Sequence, residues 1–284
     1  MIIPKIVIVK TIKGQKYADF IAKEINLAGH YCGITDIKNL REYLDKNKCS
    51  SKTTLIHSRT AHPNYTSKVL GGLEERGYKI INSPAAIRLT SDKFNSCIYA
   101  IKKDIPCAET IKIDKKEAIP FVKEKVEIWG RAVVKPMISQ GQGEFCFKFD
   151  NADISQLKEI NKIPTQELVV QKFVDYLKLN RVIVIGYGAL EKAVFWDEPN
   201  QGWKCSVCLN TKIQCYKNPP GDLLEFAENV AKKFKAEISF VDVFSTKDGY
   251  VLNEINTACS LIIHERISRY NISKKIADYL LSFV

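Results

Sequence analysis

The sequence predicts a mixed α/β chain, α+β over its larger C-terminal part, and two observations carry that prediction. Over residues 1–89, short β-branched runs alternate with helical stripes, as in strand–helix–strand units on a parallel sheet. Beyond them, strand-like segments follow one another with short turns, broken by helical patterns at 90–103, 222–234 and 273–283.

Ile6 to Val9 is a β-branched run followed by Gly14, a strand and a turn. Tyr17 to Leu27 carries Phe20, Ile21, Ile25 and Leu27 near a helical stripe, and Gly29 ends it. Thr53 to His57 reads as a strand, Ser67 to Arg76 as a helix closed by Gly77, and Lys79 to Ile81 as a strand before the break Asn82-Ser83-Pro84. No glycine fingerprint of the dinucleotide type occurs, so this unit is not read as a cofactor-binding domain. One helix is expected from Thr90 to Lys103, capped by Thr90 or Ser91, with Phe94, Cys97, Ile98 and Ile101 on one face. Glu109–Asp114, Ala132–Lys135, Glu144–Phe149, Leu168–Phe173 and Arg181–Ile185 are β-like. An amphipathic helix follows at Asp222–Phe234, then strands Ile238–Phe244 and Tyr250–Ile255 around an Asp248-Gly249 turn, and a last helix from about Ser273.

The 284 residues suffice for two or three packed units, and 45% hydrophobic with 26% charged residues exclude a disordered or fibrous chain. No apolar run approaches the ~18 residues of a membrane span. MIIPKIVIVK lacks the charged leader and cleavage site of a signal peptide and reads as a first buried strand, so a cytoplasmic protein is expected. Nine scattered cysteines, mostly in apolar segments, argue against a disulfide framework. Cys205 and Cys208 form one CxxC with Cys215 beyond; zinc would need a fourth ligand, and His264 is the one histidine after the pair. Plain thiols in a β-rich segment are the other reading. The net charge of +11 describes either a lysine-rich solvated surface or an attraction for nucleotides, acidic peptides or polyglutamate tails. The lysines form no dense block or aromatic-interleaved stripe, which disfavours a dedicated nucleic-acid binder.

Four segments could carry chemistry. In VVKPMISQGQGEFCF a strand delivers Lys135, and a loop with Ser139, Gly141 and Gly143 follows; small residues let backbone N–H groups approach phosphate while lysine adds charge. A flexible hairpin tip is the plain alternative. On VDVF and VLNEIN, Glu254 and Asn256 are two apart and share a face, with Asp242 on the neighbouring strand. Two carboxylates and an amide oxygen suit Mg²⁺, unless they are polar residues on an edge hairpin. Asp92-Lys93 opens a helix, and Val169–Gly186 reads as a strand, a short excursion and a strand with Arg181, which could be a structural hairpin.

In this order the segments resemble the ATP-grasp superfamily, and the RimK-like ligases most closely. INSPAAIRLTSDKFNSCIYAIKKDIPCAET, VVKPMISQGQG, VVQKFV, NRVIVIG, GWKCS, FVDVF and VLNEIN carry the resemblance over residues 82–261. It implies an N-terminal Rossmann-like α/β pre-ATP-grasp domain over 1–89, a central lid subdomain over 90–168 and a C-terminal subdomain with the metal site over 169–284. It implies that Lys93 and Lys135 contact ATP phosphates under a lid of Ser139, Gly141 and Gly143, and that Gln171, Lys172, Phe173 and Val174 form the hinge meeting adenine. Asp242, Glu254 and Asn256 would hold two Mg (or Mn) ions, and Arg181 and Lys204 would face phosphate or substrate. Arg59 and Ser206 would lie on the substrate side. The implied reaction turns a carboxylate into an acyl phosphate and joins it to an amine, as when an amino acid such as glutamate is added to an acidic peptide tail or polyglutamylated coenzyme. Departures from the pattern include Leu179, where an acid for the ribose is common, Lys172, Ser206, Cys259 and Ser260. An ATP-binding regulator or scaffold that has lost ligation is the alternative, and an apolar face of the first unit could serve a homo-oligomer.

Overall fold

Three sheets organise the chain in the computed structural model, which describes residues 5–10, 15–60, 63–138, 145–150, 154–199, 203 and 213–284. The first is built from β1 (Ile6–Lys10), α1 (Gln15–Leu27), β2 (Cys32–Asp36), α2 (Leu40–Lys46), β3 (Leu55–Arg59), α3 (Pro63–Glu74) and β4 (Lys79–Ile81). Its four strands are parallel, in the order β2-β1-β3-β4. A parallel sheet is covered on both faces, which is why β1 reads as an unbroken apolar run. Val7 and Val9 pack with Leu40, Leu44, Leu70 and Leu73, while Ile6 and Ile8 pack on the opposite face with Ile21 and Ile25. β2 and α2 escaped the sequence reading because CGITD and a seven-residue helix are too short to show a period.

The helix expected at 90–103 starts later, at Lys93, and a separate helix ends just before it. Ser83 caps α4 (Pro84–Ser91) by accepting from the Ala86 N–H at 3.2 Å, with Pro84 in the first turn where its missing N–H costs nothing. Asp92 is extended and caps α5 (Lys93–Lys102), accepting from the Asn95 N–H at 2.9 Å. The break frees the Lys93 N–H to bond the Met137 carbonyl at 3.0 Å, tying α5 to the second sheet.

That sheet contains β5 (Thr110–Asp114), β6 (Ala132–Pro136), β7 (Phe147–Phe149) and β8 (Glu167–Lys172), antiparallel in the order β5-β8-β6-β7. Between β5 and β6 runs α6 (Lys115–Trp129), capped by Asp114, and α7 (Ile154–Leu157) precedes β8. The sequence reading missed α6 because Pro120 reads as a breaker, yet Ala118, Val122 and Val126 pack on Val134, Leu168 and Val170. Burying these side chains is worth about 1.5–3 kcal/mol for each larger aliphatic one, enough to hold a helix with one lost hydrogen bond.

The third sheet is β11-β10-β9-β12-β13, all antiparallel, from β9 (Lys178–Ile185), β10 (Gly188–Asp197), β11 (Gln214–Cys215), β12 (Ile238–Thr246) and β13 (Gly249–Asn256). The turn between β12 and β13 needs Gly249, whose φ is +118°. α8 (Gly221–Phe234) covers one face, where Ala227, Val230 and Phe234 meet Val182, Val184, Val241 and Val243. α9 (Ile262–Ser268) and α10 (Ile272–Leu281) follow. The other face shares one core with the first sheet, where Ile8 and Ile21 join Ile183, Phe240, Ile276 and Leu280. Buried Asn82 fixes this junction, donating to the Ile238 carbonyl at 2.7 Å and accepting its N–H at 2.9 Å.

The strand pairing bears on two expectations. β8 lies wholly in the second sheet, so a boundary at 168/169 cuts through a strand. Val169–Gly186 is the expected strand, excursion and strand, and the alternative of a structural hairpin is excluded, since β8 and β9 belong to different sheets and 173–177 crosses between them. Among the described residues no helix is long and apolar enough to cross a membrane.

Candidate functional site

Strand alternation creates the site by running an apolar face out into charge. On β12, Ile238 and Phe240 point into the core shared with the first sheet, and Asp242 and Phe244 continue that face. The register sets Arg181 of β9 opposite Asp242 on one side and Glu254 of β13 opposite it on the other. Arg181 donates through Nε to Asp242 Oδ1 at 2.7 Å and through Nη2 to Oδ2 at 2.6 Å, with the two side chains 19% and 3% exposed. Asn256, two residues beyond Glu254, donates its amide to Glu254 Oε1 at 3.0 Å.

Lys93, at the start of α5, and Lys135, on β6, bring opposing charge to Glu254. Burial favours neutral Glu254, yet Lys93, Lys135, the Asn256 amide and Arg181 hold it below the usual carboxylate range. Lys93 is pulled down by burial, with Glu254 opposing the shift and Lys135 adding to it. Asp242 is pushed up to about 6 by burial against the pull of Arg181, with Glu254 adding to the rise. Burial works against the Arg181 charge, but Asp242 outweighs it and raises that guanidinium. The arrangement is a buried alternation of cations and anions.

Asp242, Glu254 and Asn256 were expected as metal ligands, and the structure brings them onto one face. Arg181, expected to face phosphate or substrate, has two of its donors engaged by Asp242. Among the described residues no group of three or more His, Cys, Asp or Glu side chains gathers into a metal cluster. The donor set still fits a hard divalent ion. Each carboxylate oxygen has a second lone pair, and an Asn256 amide that donates to Glu254 leaves its own oxygen as an acceptor.

The expected hinge behaves unevenly. Gln171 turns its side chain inward, donating to Thr110 Oγ1 at 2.7 Å and lying 3.3 Å from Cys97 Sγ. The N–H groups of Lys172 and Phe173 donate to the carbonyls of Glu109 and Arg131 at 2.9 and 3.2 Å. Among the described residues Val174 makes no backbone hydrogen bond. The sequence reading missed the wall beside this segment, where Tyr176 stacks on Phe244 at 4.4 Å and Phe173 lies 6.3 Å from Tyr176. Its signal was present, since Phe244 stands two residues after Asp242 and so shares its face.

Arg59 ends β3 and reaches the third sheet. Its Nη2 donates to the Cys259 carbonyl, and its guanidinium lies 5.7 Å from the Phe240 ring centroid. Among the described residues Nε and Nη1 are buried without partners, and burial depresses the group to about 10. Ser139, Gly141, Gly143, Lys204 and Ser206 lie outside the described residues, as do Cys205 and Cys208.

The model of the RimK-like ATP-grasp domain matches residues 90–280. The chain is 27% identical over 277 residues to coenzyme gamma-F420-2:alpha-L-glutamate ligase of Methanocaldococcus jannaschii, covering 93% of each. It is 22% identical over 216 residues to tetrahydromethanopterin:alpha-L-glutamate ligase of the same organism, covering 72% of this chain and 71% of that one. Among solved structures, the ATP-grasp ligase PsnB complexed with minimal precursor, Mg and ADP superposes with a TM-score of 0.74 at 14% identity, covering 99% of this chain and 98% of that one.

Proposed function

The chain belongs to the RimK-like ATP-grasp family and is a carboxylate–amine ligase, and we propose that it uses Mg·ATP to join an amino acid, glutamate in the first instance, to an acidic acceptor. The acceptor class is a carboxylate-bearing coenzyme or peptide tail, in keeping with the net charge of +11 and with the glutamate-adding relatives. The observation that carries the reading is the meeting of Lys93 and Lys135 with the Arg181–Asp242–Glu254 row.

In the first step a substrate carboxylate oxygen attacks the γ-phosphorus, the bond to the β-phosphate oxygen breaks and ADP leaves. In the second the amine attacks the acyl carbon, phosphate leaves with the bonding pair and the nitrogen loses a proton. No protein nucleophile is needed, and catalysis is positioning and charge stabilisation. Lys93 and Lys135 bind the phosphates, assisted by Ser139, Gly141 and Gly143, and Val174 offers backbone to the adenine edge. Asp242, Glu254 and Asn256 would hold magnesium, which neutralises the charge that builds on the transferred group. Arg181 orients Asp242, and Lys204 and Ser206 serve the phosphate and substrate side. Arg59 offers its two open N–H groups to a substrate carboxylate.

The test is release of ADP and phosphate from Mg·ATP across amino acids paired with acidic acceptors, with Glu254→Gln as control. Release that requires both partners and disappears in Glu254→Gln is the expected result. Full activity in Glu254→Gln would remove the metal assignment. Mg·ATP binding without release for any pair would favour a regulatory role.

A further inference from the structure

We propose that Cys97 and Cys107 form a redox-active dithiol, a modification site at which a small-molecule disulfide closes them into an intramolecular bridge. The reaction proposed above leaves both thiols unused.

Local structure brings the two sulfurs together. Cys97 lies on α5, and the chain reverses just past the end of that helix. The N–H groups of Lys103 and Ile105 both bond the Ala100 carbonyl, at 3.0 and 2.9 Å, and Asp104 between them is left-handed, with φ at +53°. Ile105 and Ala100 share a core, and the Pro106 carbonyl accepts the Leu252 N–H at 2.8 Å, which anchors the returning segment on β13. Cys107 bridges to Leu252 and is thereby held alongside α5, where its thiol meets that of Cys97. Both cysteines are free. Bridging them requires no new fold of the segment between, because the chain has already turned back.

The surroundings set this pair apart from the other thiols. Gln171 Nε2 lies 3.3 Å from Cys97 Sγ, and the Lys135 charge acts on both sulfurs. The Cys107 S–H, with Thr110, Lys135 and Gln171, holds Cys97 below the ordinary thiol range against burial. The same contact, with burial, raises Cys107. The pair therefore shares one proton, and the negative charge rests on Cys97. Burial raises Cys32, Cys49, Cys215 and Cys259 instead. A thiolate against a second thiol is the arrangement that exchanges disulfides.

Exposure decides the order of events. Cys97 is 4% exposed, whereas Cys107 is half-buried, so the reagent RS–SR enters at Cys107. The Cys107 sulfur attacks, passing its proton to Cys97; a Cys107–SR bond forms, the RS–SR bond breaks and RS⁻ leaves. Cys97 then gives up its proton and attacks the Cys107 sulfur, and the second RS⁻ leaves with the bonding pair. The protein has lost two electrons and two protons, and the reagent has become two RSH.

The experiment exposes the folded full chain to glutathione disulfide in excess over glutathione, then quenches in acid, alkylates the remaining thiols and digests with trypsin. Cleavage after Lys102 and Lys103 separates the two cysteines, so the bridge appears as a linked pair of peptides. The natural chain should give that pair with the loss of two hydrogen atoms, and dithiothreitol should reverse it. Cys97→Ser should trap glutathione on Cys107, and Cys107→Ser should leave buried Cys97 unmodified. Buried Cys32 reports unfolding, so a chain is scored only while Cys32 stays unmodified, and the natural chain alone decides if a variant unfolds. Two thiols still reduced in the natural chain would overturn the proposal. So would a bridge from either to another cysteine, Cys146 near Lys93 included, or glutathione on Cys97 in folded Cys107→Ser.

Discussion

Replacing Arg181 with methionine would leave Asp242 buried opposite an apolar side chain. Both Asp242 oxygens are bonded to that guanidinium, and the carboxylate is 3% exposed, so water cannot take over both contacts. Removing one partner of such a pair typically costs about 3–5 kcal/mol, mostly the penalty of the stranded charge. The cost should depend on pH. With Arg181 present, Asp242 titrates at about 6, above the usual carboxylate range, so its charged form already opposes folding above that pH. Without Arg181 it rises further, and the folded variant takes up a proton that the natural chain releases. The deficit is therefore largest at pH 7 and above, and it shrinks towards pH 5 as Asp242 becomes neutral in both proteins. Urea unfolding at pH 7.5 and pH 5 reads both numbers, and Arg181→Met with Asp242→Leu should recover most of the loss, because a matched apolar pair is often no worse than a buried ion pair. A loss under about 1 kcal/mol at pH 7.5, or a deficit that grows on acidification, would refute this account of the row.

Three further outcomes follow from the same geometry. Lys135→Ala should weaken Mg·ATP about tenfold or more, the worth of one charge-assisted contact; an unchanged dissociation constant removes that lysine from the site. Chelating magnesium should weaken ATP strongly, because Glu254 already balances Lys93 and Lys135 and bare triphosphate would meet uncompensated carboxylates; equal affinity of free ATP and Mg·ATP would contradict this. His57 and His264 are held near 3 and 4, chiefly by burial. Their neutral forms are favoured only in the folded state, so stability is full above the ordinary histidine value and declines as pH falls below it, by about 2 kcal/mol for each between pH 7 and pH 5. Denaturation midpoints of His57→Gln and His264→Gln across that range should show a shallower fall than the natural chain.

What the sequence disclosed and what it hid divide along the range of the interactions concerned. The β12–β13 hairpin was legible because an Asp-Gly turn and β-branched runs are local, and the spacing of Glu254 and Asn256 alone put both on one face. The break at Asp92 was hidden within a helical stripe, since Phe94, Cys97, Ile98 and Ile101 continue the period from Thr90 and only the bond from Lys93 to Met137 reveals why the chain stops and restarts. α6 was obscured by Pro120, whose local cost is outweighed by a core assembled from residues up to Val170. The pairing of Arg181 with Asp242 depends on the register of two strands 61 residues apart, which no local pattern encodes.

The same distinction explains why the two ends of the site differ in character. β12 contributes Ile238, Phe240, Asp242 and Phe244 to one face, and the identity of each is set by what lies above it. Where the first sheet packs, only apolar residues avoid desolvation. Where that cover ends, Asp242 can be charged because Arg181 stands opposite, and Glu254 because Lys93 and Lys135 reach it from elements outside the third sheet. Further along, Phe244 is apolar again because Tyr176, in the crossing segment, stacks on it. A polar band between two apolar ones matches a ligand with a charged middle and less charged ends. In the proposed reaction the nucleoside would lie at the Tyr176 end. In the proposed reaction the amine and acceptor would lie at the Arg59 end, where, among the described residues, a buried cation with two unpartnered donors borders the first sheet. The proposed attack on the γ-phosphorus would then fall between them, over Asp242 and Glu254, where the field of both lysines and Arg181 is already fixed before substrate arrives.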